Sequence, residues 1–426
     1  MSLRVAVVDG FGSGRWLTRE LTDRGAECVH VKSRPMVNAY LEATFRPEDY
    51  DLDLGHDRDT GRLATRLAEL GVDWIVAGNE SGVGTADALT ALTGLPGNVP
   101  DLAGARRHKQ RMAARLREVG MDAPLGTAVT SAQEAVAWFA SVRAQVPAGV
   151  VVKPVDSAGS DHVRFCTTAE QVRDACRAVL AGANVFGSAN QSVVVQEALA
   201  GPEYYVNTVS IDGMHLIAET WRYTKSRTPH GAPLFDFEEP ADLDSPQVRA
   251  VHDYVLRSLD ALGIRHGAAH SEVVLTARGP VLIDPGARLG GGVLPWVAEK
   301  FLGYSHAGLL AESILRPGEA LRRAGRLPEP WPDPIRYVSL INRHAGTVVP
   351  SARWAGFLEA LPSAIAVAPV AGAGMELPVT HDLGTAPGFV YLSSADPAEI
   401  ECDYRTIREW EQQAPYTVPQ AGARSS

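Results

Sequence analysis

The stretch from His270 to Gly292 does more than any other to limit what this chain can fold into. It reads as a β-branched, apolar strand (His270 to Leu275), a short turn at Ala277, Arg278 and Gly279, a second strand (Val281 to Asp284), and then Pro285-Gly286-Ala287-Arg288-Leu289-Gly290-Gly291-Gly292. Such a hairpin delivers two carboxylates, Glu272 and Asp284, and one arginine, Arg288, to one place. If Ala277 to Gly279 form a three-residue loop with Gly279 left-handed, Glu272 falls opposite Asp284, with Cβ atoms roughly 5 Å apart. A two-residue loop would shift the register by one and send the acids to opposite faces. Carboxylates that close repel unless one is protonated or a cation stands between them; on a solvated face they would be two ordinary strand residues. Their apolar, β-branched surroundings point to burial, where carboxylates are seldom left unpaired.

A chain of 426 residues has room for two or three domains and a sizeable core. Its formal charge of -10 speaks against a general nucleic-acid-binding surface and suits an enzyme of small molecules. The four cysteines, Cys28, Cys166, Cys176 and Cys402, are scattered with no paired spacing and no histidine cluster. That indicates neither a disulfide framework nor a zinc site, and it fits a reducing cytoplasm. The apolar run Val5 to Val8 is too short for a signal segment or a membrane span.

Taken in order, residues 3–9 read as a buried parallel strand, followed by Gly10-Phe11-Gly12-Ser13-Gly14, a helix to Arg24 and strands at Glu27 to Val31 and Trp74 to Ala77. This opens a doubly wound α/β domain. The glycines are spaced Gly-x-Gly-x-Gly and no acid ends the second strand, so a tight structural or substrate-side turn is favoured over a dinucleotide fingerprint. A second glycine turn, Gly78 to Gly84, lies at the same sheet edge, and Leu95 to Pro100 marks a boundary. Asp101 is expected to cap a helix bearing Arg106, Arg107, Lys109 and Arg111, which is either a solvated face or a source of one anion-binding cation. A strand ending in Lys153 runs into the small-residue loop Asp156 to Val163, an arrangement that fits phosphate or an exposed hairpin tip. The strand Ser192 to Glu197 leads through Ala198-Leu199-Ala200-Gly201-Pro202 to Glu203, an acid placed to accept ribose hydroxyls. The segment Lys225 to Pro240 is expected to be a mobile loop, Pro295 to Arg316 one helix, Asp403 to Gln413 another, and Val418 to Ser426 a disordered tail.

Lys109, Lys153 before its small-residue loop, Gln196-Glu197-Ala198-Leu199 with Glu203, His270-Ser271-Glu272 and Asp284 to Gly291 together resemble the ATP-grasp superfamily of carboxylate-amine ligases. Within it the chain is most similar to L-amino acid ligases that form dipeptides. The resemblance spans about residues 3–410. It implies an α/β fold: an N-terminal doubly wound parallel-sheet domain (1–98), an ATP-grasp region (99–330) with a small α+β lid (127–199), and a strand-rich C-terminal subdomain (331–420) within a larger antiparallel part. It further implies that Lys109, Lys153 and Ser157 meet ATP phosphates, that Glu197 and Leu199 flank the adenine, and that Glu203 holds the ribose. Glu272 and Asp284 would hold magnesium, with manganese an admissible substitute, and Arg288 would steady the transferred phosphoryl group. Position alone suggests His270, Trp221, Arg222, Tyr223, Gly291 and Trp296, with the Gly10 to Gly14 and Asn79 to Gly84 turns, for the substrates.

Two departures stand out. The second metal ligand is usually a glutamate and here is Asp284; magnesium, about 2.0–2.1 Å from its oxygens, accepts the shorter acid but with less reach for bridging two ions. The family's asparagine two residues later is Gly286. The implied reaction activates an amino-acid carboxylate as an acyl phosphate and joins it to an amine, releasing ADP and phosphate. The implied partners are small molecules, with no nucleic acid or membrane, and a homodimer is admissible. The other readings are a different ATP-grasp reaction, such as carboxylation or ligation to a non-amino-acid amine, and a nucleotide-binding protein without turnover.

Overall fold

The computed structural model describes residues 2–37, 39–157, 159–228, 231–291 and 294–418. The first sheet is built from β1 (Arg4–Val8), β2 (Glu27–Lys32), β3 (Leu52–His56) and β4 (Trp74–Ala77), all parallel in the order β3-β2-β1-β4. β3, followed by the helix Thr60–Glu69, was not anticipated. It is an edge strand of mostly half-exposed residues, and an edge needs no continuous apolar run. The two glycine turns pack backbone to backbone: a Cβ on Gly14 would meet the Gly78 main chain at 2.8 Å, and one on Gly78 would meet the Asp9 carbonyl at 2.7 Å. Asp9, at φ 56°, fixes this junction by accepting from Ser33 N, Ser33 Oγ and Ser81 Oγ. These glycines therefore serve close approach of two loops.

The second sheet, antiparallel, comprises β5 (Gly126–Val129), β6 (Val150–Pro154), β7 (Arg164–Cys166) and β8 (Val193–Glu197) in the order β5-β8-β6-β7. Its valine runs face the helices Ala132–Val142 and Ala169–Ala181 in one core. Each fully buried valine contributes about 1.5 kcal/mol or more. Ser131 and Thr168 cap those helices, the latter in a reciprocal box with Gln171. This is the small lid.

The largest sheet is wholly antiparallel. It holds β9 (Glu203–Ile211), β10 (Met214–Arg227), β11 (Pro233–Pro240), β12 (Gly267–Thr276), β13 (Gly279–Gly286), β14 (Ile335–Ser339), β16 (Ala364–Pro369) and β18 (Gly388–Ser393); the short β15 (Gly346–Val348), β17 (Glu376–Leu377) and β19 (Thr417–Val418) form a separate patch. The large sheet runs β13-β12-β9-β10-β11-β14-β18-β16, so the C-terminal stretch extends the same sheet. The helix Pro246–Ala261 covers one face in a core with Val206, Val273 and Leu282. Among the described residues no helix is long and apolar enough to cross a membrane.

Four expectations are corrected. Lys225 to Pro240 is not a loop: β10 runs to Arg227 and β11 pairs with it through Phe235 and Phe237, as the alternation Phe-Asp-Phe-Glu permits; Pro229 and His230 lie outside the described residues. The expected helix Pro295 to Arg316 is two, Pro295–Leu302 and His306–Leu315, divided at Gly303 with φ 73°. The last long helix is Pro397–Trp410, started by Asp396 as cap and Pro397 in the first turn. The helix expected from Asp101 begins only at Lys109. Arg106 precedes it and is buried in an ion pair with Asp87 at 2.9 Å, and Arg107 pairs with Asp156 at 2.9 Å, so these cations do not form a solvated face. Of the expected tail, residues 419–426 lie outside the described residues, as do Ala158 and Gly292.

Candidate active site

The hairpin brings Glu272 opposite Asp284, but by a route other than the expected loop. Thr276 pairs with Gly279, leaving a two-residue turn, and Val273 then pairs with Leu282. That register alone would set Glu272 against Ile283. A bulge at Ile283 restores the phase, so that Glu272 pairs with Asp284. The displaced Ile283 carbonyl accepts from Lys153 Nζ at 3.4 Å. One extra residue thus keeps both acids on one face and turns a main-chain oxygen toward a lysine.

These groups line a cavity of about 310 Å³ between the lid and the large sheet. Lys109, Lys153, Ser157, Glu197, Leu199, Glu203, Glu272, Asp284 and Arg288, drawn from four parts of the chain, all border it. Lys109 Nζ lies 3.3 Å from Asp284 and donates to the Ser157 carbonyl at 3.1 Å. Burial works against its charge, yet Asp284 and Glu80 outweigh burial and its pKa is raised. Lys153 is different: among the described residues it has no carboxylate at ion-pair distance. Burial, then repulsion from Lys109, lowers its pKa to about 8. Glu272 is held well below the usual carboxylate range because His270, Lys225 and Arg288 overcome its burial. Burial raises Glu203, with Lys225 opposing and Glu272 reinforcing the rise.

Other side chains are already engaged. The Glu197 carboxylate accepts from Arg278 Nη1 at 2.9 Å and from Leu125 N at 2.7 Å, which fastens the lid hinge to the hairpin turn. Ser157 Oγ donates to Asp161 at 2.6 Å within a loop whose Gly159, Ser160 and His162 all have positive φ. Arg288 Nε donates to Glu80 at 2.9 Å, joining the glycine run to the β4 turn of the first sheet.

Among the positional substrate candidates, Tyr223 borders this cavity and the others do not. Trp221 is fully buried against Tyr205 and Trp331. Arg222, on the opposite face of its strand, pairs with Glu239 at 3.3 Å. Trp296 is 43% exposed and Gly291 is also exposed. His270 lies beneath the acids, with Nδ1 2.8 Å from Asn207 and Nε2 3.5 Å from Glu272, where it orients Glu272. Sequence reasoning missed Lys225, which lies 2.5 Å from Glu203 and over the rings of Tyr223 and Phe235 at 4.1 and 4.0 Å. The i, i+2 spacing of Tyr223 and Lys225 was the available signal. Glu80, the partner of Arg288, was visible only as part of a glycine turn.

Glu272 and Asp284 are two acids on one face. Among the described residues no cluster of three or more metal-binding side chains occurs. Two carboxylates suit a divalent ion that takes its remaining oxygens from phosphate and water.

A model of the ATP-grasp domain matches residues 146–295. Dapdiamide A synthase of Enterobacter agglomerans is 32% identical over 324 residues, 76% of each chain. The L-amino acid ligase from Bacillus licheniformis superposes with a TM-score of 0.73 at 19% identity, covering 98% of this chain and 99% of that one. Phosphoribosylglycinamide synthetase from Anaerococcus prevotii does so at 0.65 and 13%, covering 96% and 98%. The last two likenesses are of fold. Sequence and architecture together make this chain a member of the ATP-grasp carboxylate-amine ligases, enzymes that form amide or peptide bonds with ATP.

Proposed function

We propose that the enzyme activates the carboxylate of an amino acid as an acyl phosphate and passes the acyl group to the amine of a second small molecule. The observation that carries this reading is the convergence of Lys109, Lys153 and Arg288 with the Glu272–Asp284 pair around one cavity. Three cations are what transfer of a γ-phosphoryl group to a carboxylate needs, since the transition state spreads negative charge over the phosphoryl oxygens.

Lys109 and Lys153 bind the ATP phosphates, and Arg288 holds the phosphoryl group against the acceptor carboxylate. Leu199 and the Glu197 main chain border the adenine, and Glu203 takes the ribose, sharing its carboxylate with Lys225. Glu272 and Asp284 would hold magnesium, which supplies charge neutralisation across the phosphates. The loop bearing Ser157, opposite Tyr223 and Phe235, excludes water from the hydrolysable acyl phosphate. In the second half-reaction the neutral amine attacks the acyl carbon, the acyl C–O bond breaks, and phosphate leaves with the electron pair; the proton lost from nitrogen passes to phosphate or solvent. The buried thiols of Cys28, Cys166 and Cys176 suit a cytoplasmic enzyme.

Phosphate release measured across pairs of amino acids with ATP and magnesium, with mass spectrometry of the products, tests this. A product whose mass is the two substrates less one water is expected. If the enzyme binds ATP but no pair releases phosphate, the assignment falls.

A further inference from the structure

A smaller recess lies beside the Arg288 turn, lined by Ser13, Trp16, Glu219, Gly290, Ser305 and His306 among others. Its volume of about 20 Å³ admits one water-sized group. Glu219, 4% exposed, accepts from Asn207 Nδ2 at 2.8 Å and from Trp221 Nε1 at 2.9 Å. Both donors are neutral. Among the described residues no lysine, arginine or histidine lies at ion-pair distance from it, so in its charged form Glu219 has no counter-charge; burial raises its pKa despite the hydrogen bonds from Trp221 and Asn207, and a cation in the recess would favour the charged form. Each of its oxygens keeps a second lone pair.

His306 supplies the other half. Its Nε2 meets the Thr208 carbonyl at 2.9 Å and must carry the hydrogen, which in a neutral ring leaves Nδ1 an acceptor. Burial, aided by His270 and Arg288, keeps the ring neutral, lowering its pKa to about 3. Nδ1 is buried without a partner. Ser305 donates to Glu299 and accepts from Gly308 N. The recess thus offers a carboxylate and an imidazole lone pair, and what complements them is a small cation with several N–H donors. Gly290 has no side chain to cover this wall: a Cβ there would meet Asn207 Oδ1 at 2.9 Å and His270 Nδ1 at 3.0 Å.

We propose that this recess binds the α-ammonium group of the amino acid whose carboxylate is activated, with Glu219 as counter-charge and His306 as neutral acceptor. The inference rests on the amino-acid reading above. It assigns the acyl donor and not the acceptor, because a carboxylate that stabilises an ammonium keeps that nitrogen protonated, and a protonated nitrogen cannot attack. Gly290 of the recess is two residues after Arg288, and the Arg288 charge acts on His306, so the recess neighbours the arginine that would hold the donor's carboxylate.

The test uses the intact enzyme with ATP, magnesium and hydroxylamine as the amine, which isolates the acyl-donor half. Phosphate release is compared for the best amino acid and for the same acid lacking its amino group. The parent should prefer the amino acid at least about 100-fold in kcat/KM. Glu219→Gln should raise its KM about 30- to 100-fold, leave the KM for ATP within about twofold, and abolish most of the preference. Glu219→Asp should show a smaller rise in KM for the amino acid and so keep most of the preference. A folded Glu219→Gln enzyme with undiminished preference overturns the recess assignment, as does a parent that uses both acids equally. If Glu219→Gln does not fold, Glu219→Asp decides: equal KM changes for both acids overturn the proposal, and a change confined to the amino acid supports it. A parent active on simple carboxylic acids but on no amino acid would instead overturn the amino-acid reading.

Discussion

Among the described residues Lys153 is the buried cation of the cavity without a carboxylate at ion-pair distance, and its replacement by methionine should make the protein more stable while disabling it. Its pKa drops from 10.5 to about 8, with burial the leading cause and Lys109 next. At about 1.4 kcal/mol per tenfold change in the proton equilibrium, carrying that charge costs the folded state about 3 kcal/mol at neutral pH. The sign follows from proton binding. Below pH 8 both states hold the proton and the full burden is present; between about 8 and 10.5 the unfolded chain binds more protons, so stability rises with pH. Above 10.5 the burden is gone. Lys153→Met keeps the stem's packing and loses one long hydrogen bond, to Ile283 at 3.4 Å. Urea unfolding followed by fluorescence at pH 7 should therefore show a gain of about 2–3 kcal/mol, shrinking toward zero near pH 10.5. ATP affinity at pH 7, measured by calorimetry, should fall by about two orders of magnitude. A variant no more stable than the parent at pH 7, or a gain independent of pH, would refute the reasoning.

Arg288→Ala should lower kcat about 1000-fold and leave ATP affinity within a few-fold, as single-turnover phosphate release and calorimetry would separate. Glu272→Gln removes one of two paired acids, so the magnesium concentration for half-maximal rate should rise at least about tenfold, read from a metal titration at saturating ATP. Arg278→Ala unties Glu197 and Asp122 from the hairpin turn; the KM for ATP should increase several-fold with kcat little changed, since no bond to the reacting atoms is lost. Arg106→Ala leaves Asp87 buried and unpaired and should cost about 3–5 kcal/mol, visible as an earlier urea midpoint.

How much of this was legible in the sequence depends on what kind of signal each part leaves. The parallel strand at Arg4–Val8 and the valine strands of the lid are continuous apolar runs, and they stand where expected. β3 has no such run because an edge strand is not buried on both sides. Lys225 to Pro240 was misread because its polar residues suggested solvent, although Lys225 is sheltered by two rings and a glutamate. The Glu272–Asp284 pairing was anticipated through a three-residue loop that does not form. No residue type marks Ile283 as a bulge, so the turn length and the register carried compensating errors. Glu80, 208 residues from Arg288 in the chain, leaves no local trace of the ion pair they form.

The pairings around the cavity impose an order on how charge is exchanged there. Lys109 rests on Asp284, Lys225 on Glu203 and Arg288 on Glu80, each within 3.3 Å. A polyphosphate entering among them must share or replace those carboxylates, so part of its attraction to each cation is offset by a pair already made. Among the described residues Lys153 has no such pair to give up. Its full charge is available to the phosphates, and a polyanion beside it raises its pKa back toward the ordinary lysine value and relieves the burial cost. The binding energy of the phosphates should therefore fall disproportionately on Lys153. Under the proposed function the paired groups differ in that each could follow the charge as it moves: Asp284, if released by Lys109, would be free to face a metal ion, and Arg288, if released by Glu80, would be free to face the phosphoryl group. The lysine whose charge burdens the fold is thus the one whose burden bound phosphates would relieve.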